Sequence, residues 1–180
     1  MNQDKIITVF GSGSHLKENA GDYRRAAKLG RVLAENGYVL CNGGHGGVME
    51  ASARGAKEAG GVTIGIVNVP YGDKTNVWID QIKVESTWRD RMFCLIETGD
   101  AFVICDGGTG TLAELSVVWE MTNKGMMRKP VIIYGKILTK FVRKLKKERY
   151  FSFQHHLKFA STAEEVIEIL RDSFEEDCEG

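Results

Sequence analysis

Ala101-Phe102-Val103-Ile104-Cys105-Asp106-Gly107-Gly108-Thr109-Gly110-Thr111-Leu112-Ala113-Glu114 is the stretch from which the rest of the chain can be read. The apolar run 101–105 predicts a buried strand, and the pattern that begins near Thr111 predicts a long helix. Between them, three glycines in four positions leave a turn with no side chains to block a ligand. The first N–H groups of a helix lack intrahelical partners, and with the helix dipole they make an anion site. A phosphate on a small molecule is the natural occupant, with Gly107, Gly108, Thr109, Gly110 and Thr111 as its contacts.

The helix itself carries a carboxylate in an odd place. At about 100° per residue, Leu112, Leu115, Val117, Val118, Trp119 and Met121 cover most of its circumference. Ser116, Glu120 and Asn123 form the polar arc, and Glu114 falls opposite it, among Val117, Val118 and Met121. An acid denied a watery face is a candidate for chemistry. Thr111 and Glu114 also fit a T-x-x-E capping box, which does not exclude that role.

The same strand, turn and helix alternation runs outward along the chain. Residues 6–10 read as a buried strand ending in Gly11-Ser12-Gly13-Ser14. Asn19 or Asp22 can cap a helix to about Glu35, and Asn36-Gly37 ends it. Residues 38–41 are a second strand, followed by Asn42-Gly43-Gly44-His45-Gly46-Gly47 and a small-residue helix over 48–59. Gly60-Gly61 stops that helix; 62–67 is a third strand, 68–77 a loop and 79–84 a short strand. Ser86 or Thr87 caps a helix to Thr98. Residues 131–134 are a strand, 138–147 a basic amphipathic helix and 159–161 a last short strand. Thr162-x-x-Glu165 opens a final helix to Phe174, and 175–180 is an acidic tail. This pattern predicts an α/β fold: one domain over residues 1–180, an open, mostly parallel sheet with helices on both faces. Ligands in such sheets bind outside the C-terminal strand ends, so the three glycine turns share one rim.

Composition narrows the function. At 180 residues with 43% hydrophobic and 27% charged content, the chain is an ordinary globule. Twenty-four basic residues balance 24 acidic ones, so no net basic field points to nucleic acid, and the lysines and arginines of 140–149 read as a solvated face. Cys41, Cys94, Cys105 and Cys178 lack CxxC spacing, and the adjacent His155 and His156 cannot share a helical face, so neither a metal nor a redox pair is expected. No signal-peptide core or bilayer-length apolar run is present, and a cytoplasmic location without membrane partners is expected. Leu16 stands at the third glycine position of G-x-G-x-x-G and the second strand ends without an acid, which argues against a nicotinamide dehydrogenase. Residues 43–49 hold no Walker lysine. His45, between glycines on the rim, fits a ligand contact and a surface turn equally. On the helix ending at Thr98, Trp88, Met92, Leu95 and Ile96 form one stripe with Arg89 and Arg91 flanking it; helical phase does not choose between the arginines.

Gly107-Gly108-Thr109-Gly110-Thr111-Leu112-Ala113-Glu114 is similar to the PGGxGTxxE signature of the LOG ("Lonely Guy") family, often labelled lysine-decarboxylase-like. Val9-Phe10-Gly11-Ser12 resembles that family's first strand and turn, Gly43-Gly44-His45-Gly46-Gly47-Val48-Met49 its GGGxxGLM element, and Arg91 stands where it has an arginine-lysine pair. The resemblance implies a Rossmann-like fold, a homodimer, no cofactor, and cleavage of the N-glycosidic bond of cytokinin nucleoside 5′-monophosphates to base and ribose 5-phosphate. It gives Arg91 and Glu114 the catalytic roles, and Gly11, Ser12, Gly44 and Gly47 join the phosphate turn as binding positions. A pyridoxal-binding lysine has no recognisable environment here, so decarboxylation is not expected. Two departures, Asp106 for proline and Met92 for lysine, lower the expected affinity for an anion. The elements GGHGGVMEA and GSGS also resemble a branch that includes molybdenum-cofactor carrier proteins, which bind a phosphate-bearing pterin without turning it over.

Overall fold

The computed structural model describes residues 5–13, 18, 20–68, 75–151 and 157–176. Its elements are β1 (Ile6–Phe10), α1 (Gly21–Glu35), β2 (Val39–Asn42), α2 (Val48–Glu58), β3 (Thr63–Asn68), β4 (Gln81–Glu85), α3 (Trp88–Thr98), β5 (Ala101–Ile104), α4 (Thr109–Asn123), β6 (Val131–Ile133), α5 (Lys136–Leu145), β7 (Leu157–Phe159) and α6 (Ala163–Glu176). The strands form one sheet in the order β4-β3-β2-β1-β5-β6-β7. Every pairing is parallel, where a mostly parallel sheet was expected.

Strand order reverses at β1, which lies between β2 and β5 with Ile7 opposite Ala101 and Phe10 opposite Ile104. The central strands are apolar on both sides because helices cover both faces. One core packs Leu29, Leu33, Val48, Val166 and Leu170 against Ile7, Val9 and Val103. The other packs Met92, Leu95, Leu115, Val118 and Val142 against Phe10, Phe102 and Ile104. Glycine turns after β1 and β5 are therefore brought side by side at the switch point.

Element ends differ from expectation where a distant group decides them. Ala20 precedes α1 without any side-chain cap; Asp22 sits in the first turn, and Asn19 lies outside the described residues. Of Ser86 and Thr87, Thr87 caps α3, accepting the Asp90 N–H at 3.0 Å. Thr162 accepts the Glu165 N–H at 3.1 Å, but the Glu165 carboxylate reaches Ser161 N (2.6 Å), one residue further back than a strict capping box. Glu175 and Glu176 complete α6 and do not belong to a tail. The last strand lies at 157–159, set by pairing of Leu157 with Val131.

Two glycines inside helices, Gly30 and Gly55, have a packing cause. A Cβ on Gly30 would stand 1.9 Å from the Ser52 carbonyl oxygen, and one on Gly55 1.9 Å from that of Ala27. α1 and α2 thus meet backbone to backbone. In an exposed helix a Gly→Ala change stabilises by up to about 1 kcal/mol; here the overpacked backbone dominates. Gly30→Ala and Gly55→Ala are expected to lower stability by about 2 kcal/mol or more in urea titrations. Gly21→Ala, with nothing within 4 Å of its Cβ, should be close to neutral. Equal behaviour of all three would refute the close crossing.

Candidate functional site

The site is assembled by Ser12. Its N–H donates to the Asp106 carbonyl (3.2 Å), and its own carbonyl accepts the Val48 N–H (2.9 Å), so the turn after β1 joins the turn after β5 to the start of α2. α4 begins at Thr109, with Gly108 as an extended N-cap that makes no side-chain bond. Thr111 and Glu114 are therefore inside the helix and do not form a capping box. Thr111 is buried in the first turn, and the unpaired N–H groups of that turn belong to Thr109, Gly110 and Thr111.

Arg91 comes to the same place from α3. It is 7% exposed, and its Nε donates to the Ile66 carbonyl (2.8 Å) and its Nη2 to that of Gly43 (3.0 Å). A Cβ on Gly43 would lie 1.8 Å from Nη2, so only glycine admits the guanidinium there. Arg89 is exposed and pairs with Asp90 at 3.1 Å. The structure makes the choice that helical phase left open.

A cleft of about 400 Å³ is lined by Gly11, Ser12, Gly13, His45, Met49, Trp88, Arg91, Gly108, Thr109, Gly110, Thr111 and Glu114. Burial pushes the Glu114 carboxyl up from 4.5 to about 7; the positive charge of Arg91 pulls the other way and burial wins. Gly44, Gly47 and Gly107 do not line the cleft. Gly44 (φ 72°) and Gly47 (φ 66°) shape the second turn, whose form is held by Asn42 Oδ1 accepting the Gly44 N–H at 2.8 Å and by Asn76 Nδ2 donating to the His45 carbonyl at 2.8 Å. Gly107 packs behind the turn against Thr111 and Ser12.

Asp106 does not bring its charge to the turn. Its Oδ1 accepts the N–H groups of Ile137 (3.0 Å) and Leu138 (2.9 Å), capping α5, which begins two residues before the expected Leu138. Met92 is buried in the core beneath α3 and α4, so no second cation enters the cleft from that position. Burial raises the thiols of Cys41 and Cys105 to about 12, which removes them as nucleophiles. Among the described residues no metal-binding cluster occurs, and no helix is long and apolar enough to cross a membrane. His155 and His156 lie outside the described residues.

Trp88, Met49 and Gly13 also line the cleft, although sequence reasoning did not select them. Trp88 was assigned to the apolar stripe of α3, yet the structure leaves it 48% exposed. A signal existed: Trp88 and Arg91 are three apart on one helix, and such pairs share a side.

An all-parallel sheet with a glycine-lined cleft where strand order reverses is a Rossmann-like fold. The chain belongs to the SLOG cluster4 family, whose pattern matches residues 4–166. It is 35% identical over 130 residues to an uncharacterized protein from Archaeoglobus fulgidus, covering 72% of this chain and 83% of that one. It is 32% identical over 111 residues to a cytokinin riboside 5′-monophosphate phosphoribohydrolase from Mycobacterium tuberculosis, covering 60% of this chain and 59% of that protein. In three dimensions it is similar to the molybdenum cofactor binding protein from Rippkaea orientalis, with a TM-score of 0.76, 27% identity, and 96% and 98% of the two chains covered.

The raised pKa of Glu114 has a stability consequence. A carboxyl that holds its proton more tightly when folded stabilises the protein fully below its unfolded value, 4.5, and that contribution is lost as pH rises through about 7. Glu114→Gln carries no such cost. It is expected to exceed the native protein in unfolding free energy at pH 8 by on the order of 2 kcal/mol, with the gap closing below pH 4.5. A gap independent of pH would mean that the carboxyl is not desolvated.

Proposed function

We propose that the chain is a phosphoribohydrolase that cleaves the N-glycosidic bond of a purine nucleoside 5′-monophosphate, N6-modified ones included, to base and ribose 5-phosphate. The observation that carries this reading is the meeting of Glu114, Arg91 and the α4 N-terminus in one cleft. The 5′-phosphate binds the N–H groups of Thr109, Gly110 and Thr111, with the Thr and Ser12 hydroxyls beside it. That anchor sets the ribose against Glu114, one turn further along α4. As the C1′–N9 bond breaks, positive charge grows on the sugar and the ionised carboxylate faces it. Water then bonds to C1′, its proton passes to Glu114, and the departing base is protonated from solvent. Arg91 keeps the half-buried carboxylate ionisable.

Incubation with AMP and with an N6-substituted AMP should release free base. Glu114→Ala and Arg91→Ala should each lower kcat/KM by roughly 100-fold or more with folding intact. Because the ionised carboxylate is the active form, the native rate should rise with pH through about 7 and then level. Tight binding of a phosphorylated ligand without release of base would replace this reading with a carrier. Met92 favours that second reading, since its place in the core brings no second cation to the cleft from α3.

The family resemblance and the apolar girth of α4 also support a homodimer. Leu112, Leu115, Trp119, Phe141, Tyr150 and Phe151 line an apolar groove of about 420 Å³ between α4 and the end of α5, and a second copy is its proposed occupant. Sedimentation should give twice the chain mass, and Phe141→Glu, at a half-exposed position, should give a folded monomer. A native monomer at micromolar concentration would end the proposal.

A further inference from the structure

We propose that Trp88 is the surface on which the planar base of the nucleotide stacks, making the cleft selective for a phosphorylated ligand that carries an aromatic ring. The inference rests on the reading of the cleft as a nucleoside 5′-monophosphate site. The lining residues divide by chemistry. Glycines and hydroxyls of the α4 N-terminus, the charged Arg91 and Glu114, the His45 ring and the larger Trp88 indole line it, and among the described lining residues Trp88 is the one indole. Trp88 is the first residue of α3, fixed by the Thr87 cap and the helix that follows, and stands one turn from Arg91. The residue is 48% exposed.

The other tryptophans are already engaged. Trp119 packs on Phe151 with ring centroids 5.6 Å apart, and the Arg54 guanidinium lies 5.5 Å from the Trp78 ring. Among the described residues no ring or cation is stacked on Trp88. An open indole beside a phosphate anchor and a sugar-level acid lies where a base would extend. Stacking of a base on an aromatic side chain is tolerant of the base's identity, so purines with different N6 substituents would share the contact.

The test uses the full chain carrying Glu114→Ala, so that ligands bind without turnover, alone and combined with Trp88→Ala or Trp88→Phe. AMP and ribose 5-phosphate are titrated by calorimetry and by tryptophan fluorescence. AMP should quench the emission, and Trp88→Ala should abolish that quench and weaken AMP by roughly 10- to 100-fold. Ribose 5-phosphate should change less than about twofold, and Trp88→Phe should restore most of the AMP affinity. Equal weakening of both ligands, or of neither, would overturn the assignment while leaving the phosphate site standing. Failure of both ligands to bind with Trp88 in place would instead refute the nucleotide reading, and this inference with it. Loss of the dimer by Trp88→Ala with AMP affinity unchanged would show the indole to be an interface residue.

Discussion

A guanidinium taken out of water must be bonded where it sits, and in this protein two backbone carbonyls do it. Arg91 donates to Ile66 on β3 and to Gly43 after β2, which ties α3 to two neighbouring strands at their C-terminal ends. The cost of leaving such a group unbonded is several kcal/mol, so the contact constrains its surroundings. It excludes a side chain at Gly43. It also fixes a positive charge in the cleft that Glu114 lines, and that charge opposes the effect of burial on the carboxyl.

The cleft exists because β1 lies between β2 and β5. Parallel strands deliver their turns to the same edge, and the Ser12 backbone stitches the turn after β1 to both neighbours. Both hydrogen bonds use backbone atoms, so they hold the turn in place whatever the side chain does. Asp106 shows a similar division of labour in one residue. Its carbonyl accepts from Ser12 while its carboxylate caps α5. The turn that opens α4 is thereby held from behind by a carboxylate committed to α5.

The architecture was legible because it depends on local signals. Alternating apolar runs and glycine turns gave the strands, helices and parallel sheet, and the apolar surroundings of Glu114 on its helix gave its unusual state. What sequence could not supply were choices made by distant partners. Arg89 and Arg91 flank the same stripe, and only the carbonyls of Ile66 and Gly43, 25 and 48 residues away, separate them. Asp106 read as a charge beside the phosphate turn because its acceptors' partners, Ile137 and Leu138, lie about thirty residues on. Trp88 read as core because hydrophobicity predicts burial on average, whereas the structure leaves it 48% exposed at the first position of α3.

The electrostatics of the cleft set a condition on any phosphorylated occupant. A phosphate at the first turn of α4 and the Glu114 carboxylate one turn along the same helix are like charges at short range. The helix N-terminus offsets about half a charge, and among the described lysines and arginines only Arg91 lines the cleft. Binding of a dianion therefore opposes ionisation of Glu114, and ionisation of Glu114 opposes binding; linkage requires the two effects to be equal. A second cation at position 92 would uncouple them, but Met92 is committed to the core. Among the described residues one guanidinium would thus serve two anions, so a change at Arg91 would reach both the affinity for a phosphorylated ligand and the charge of Glu114.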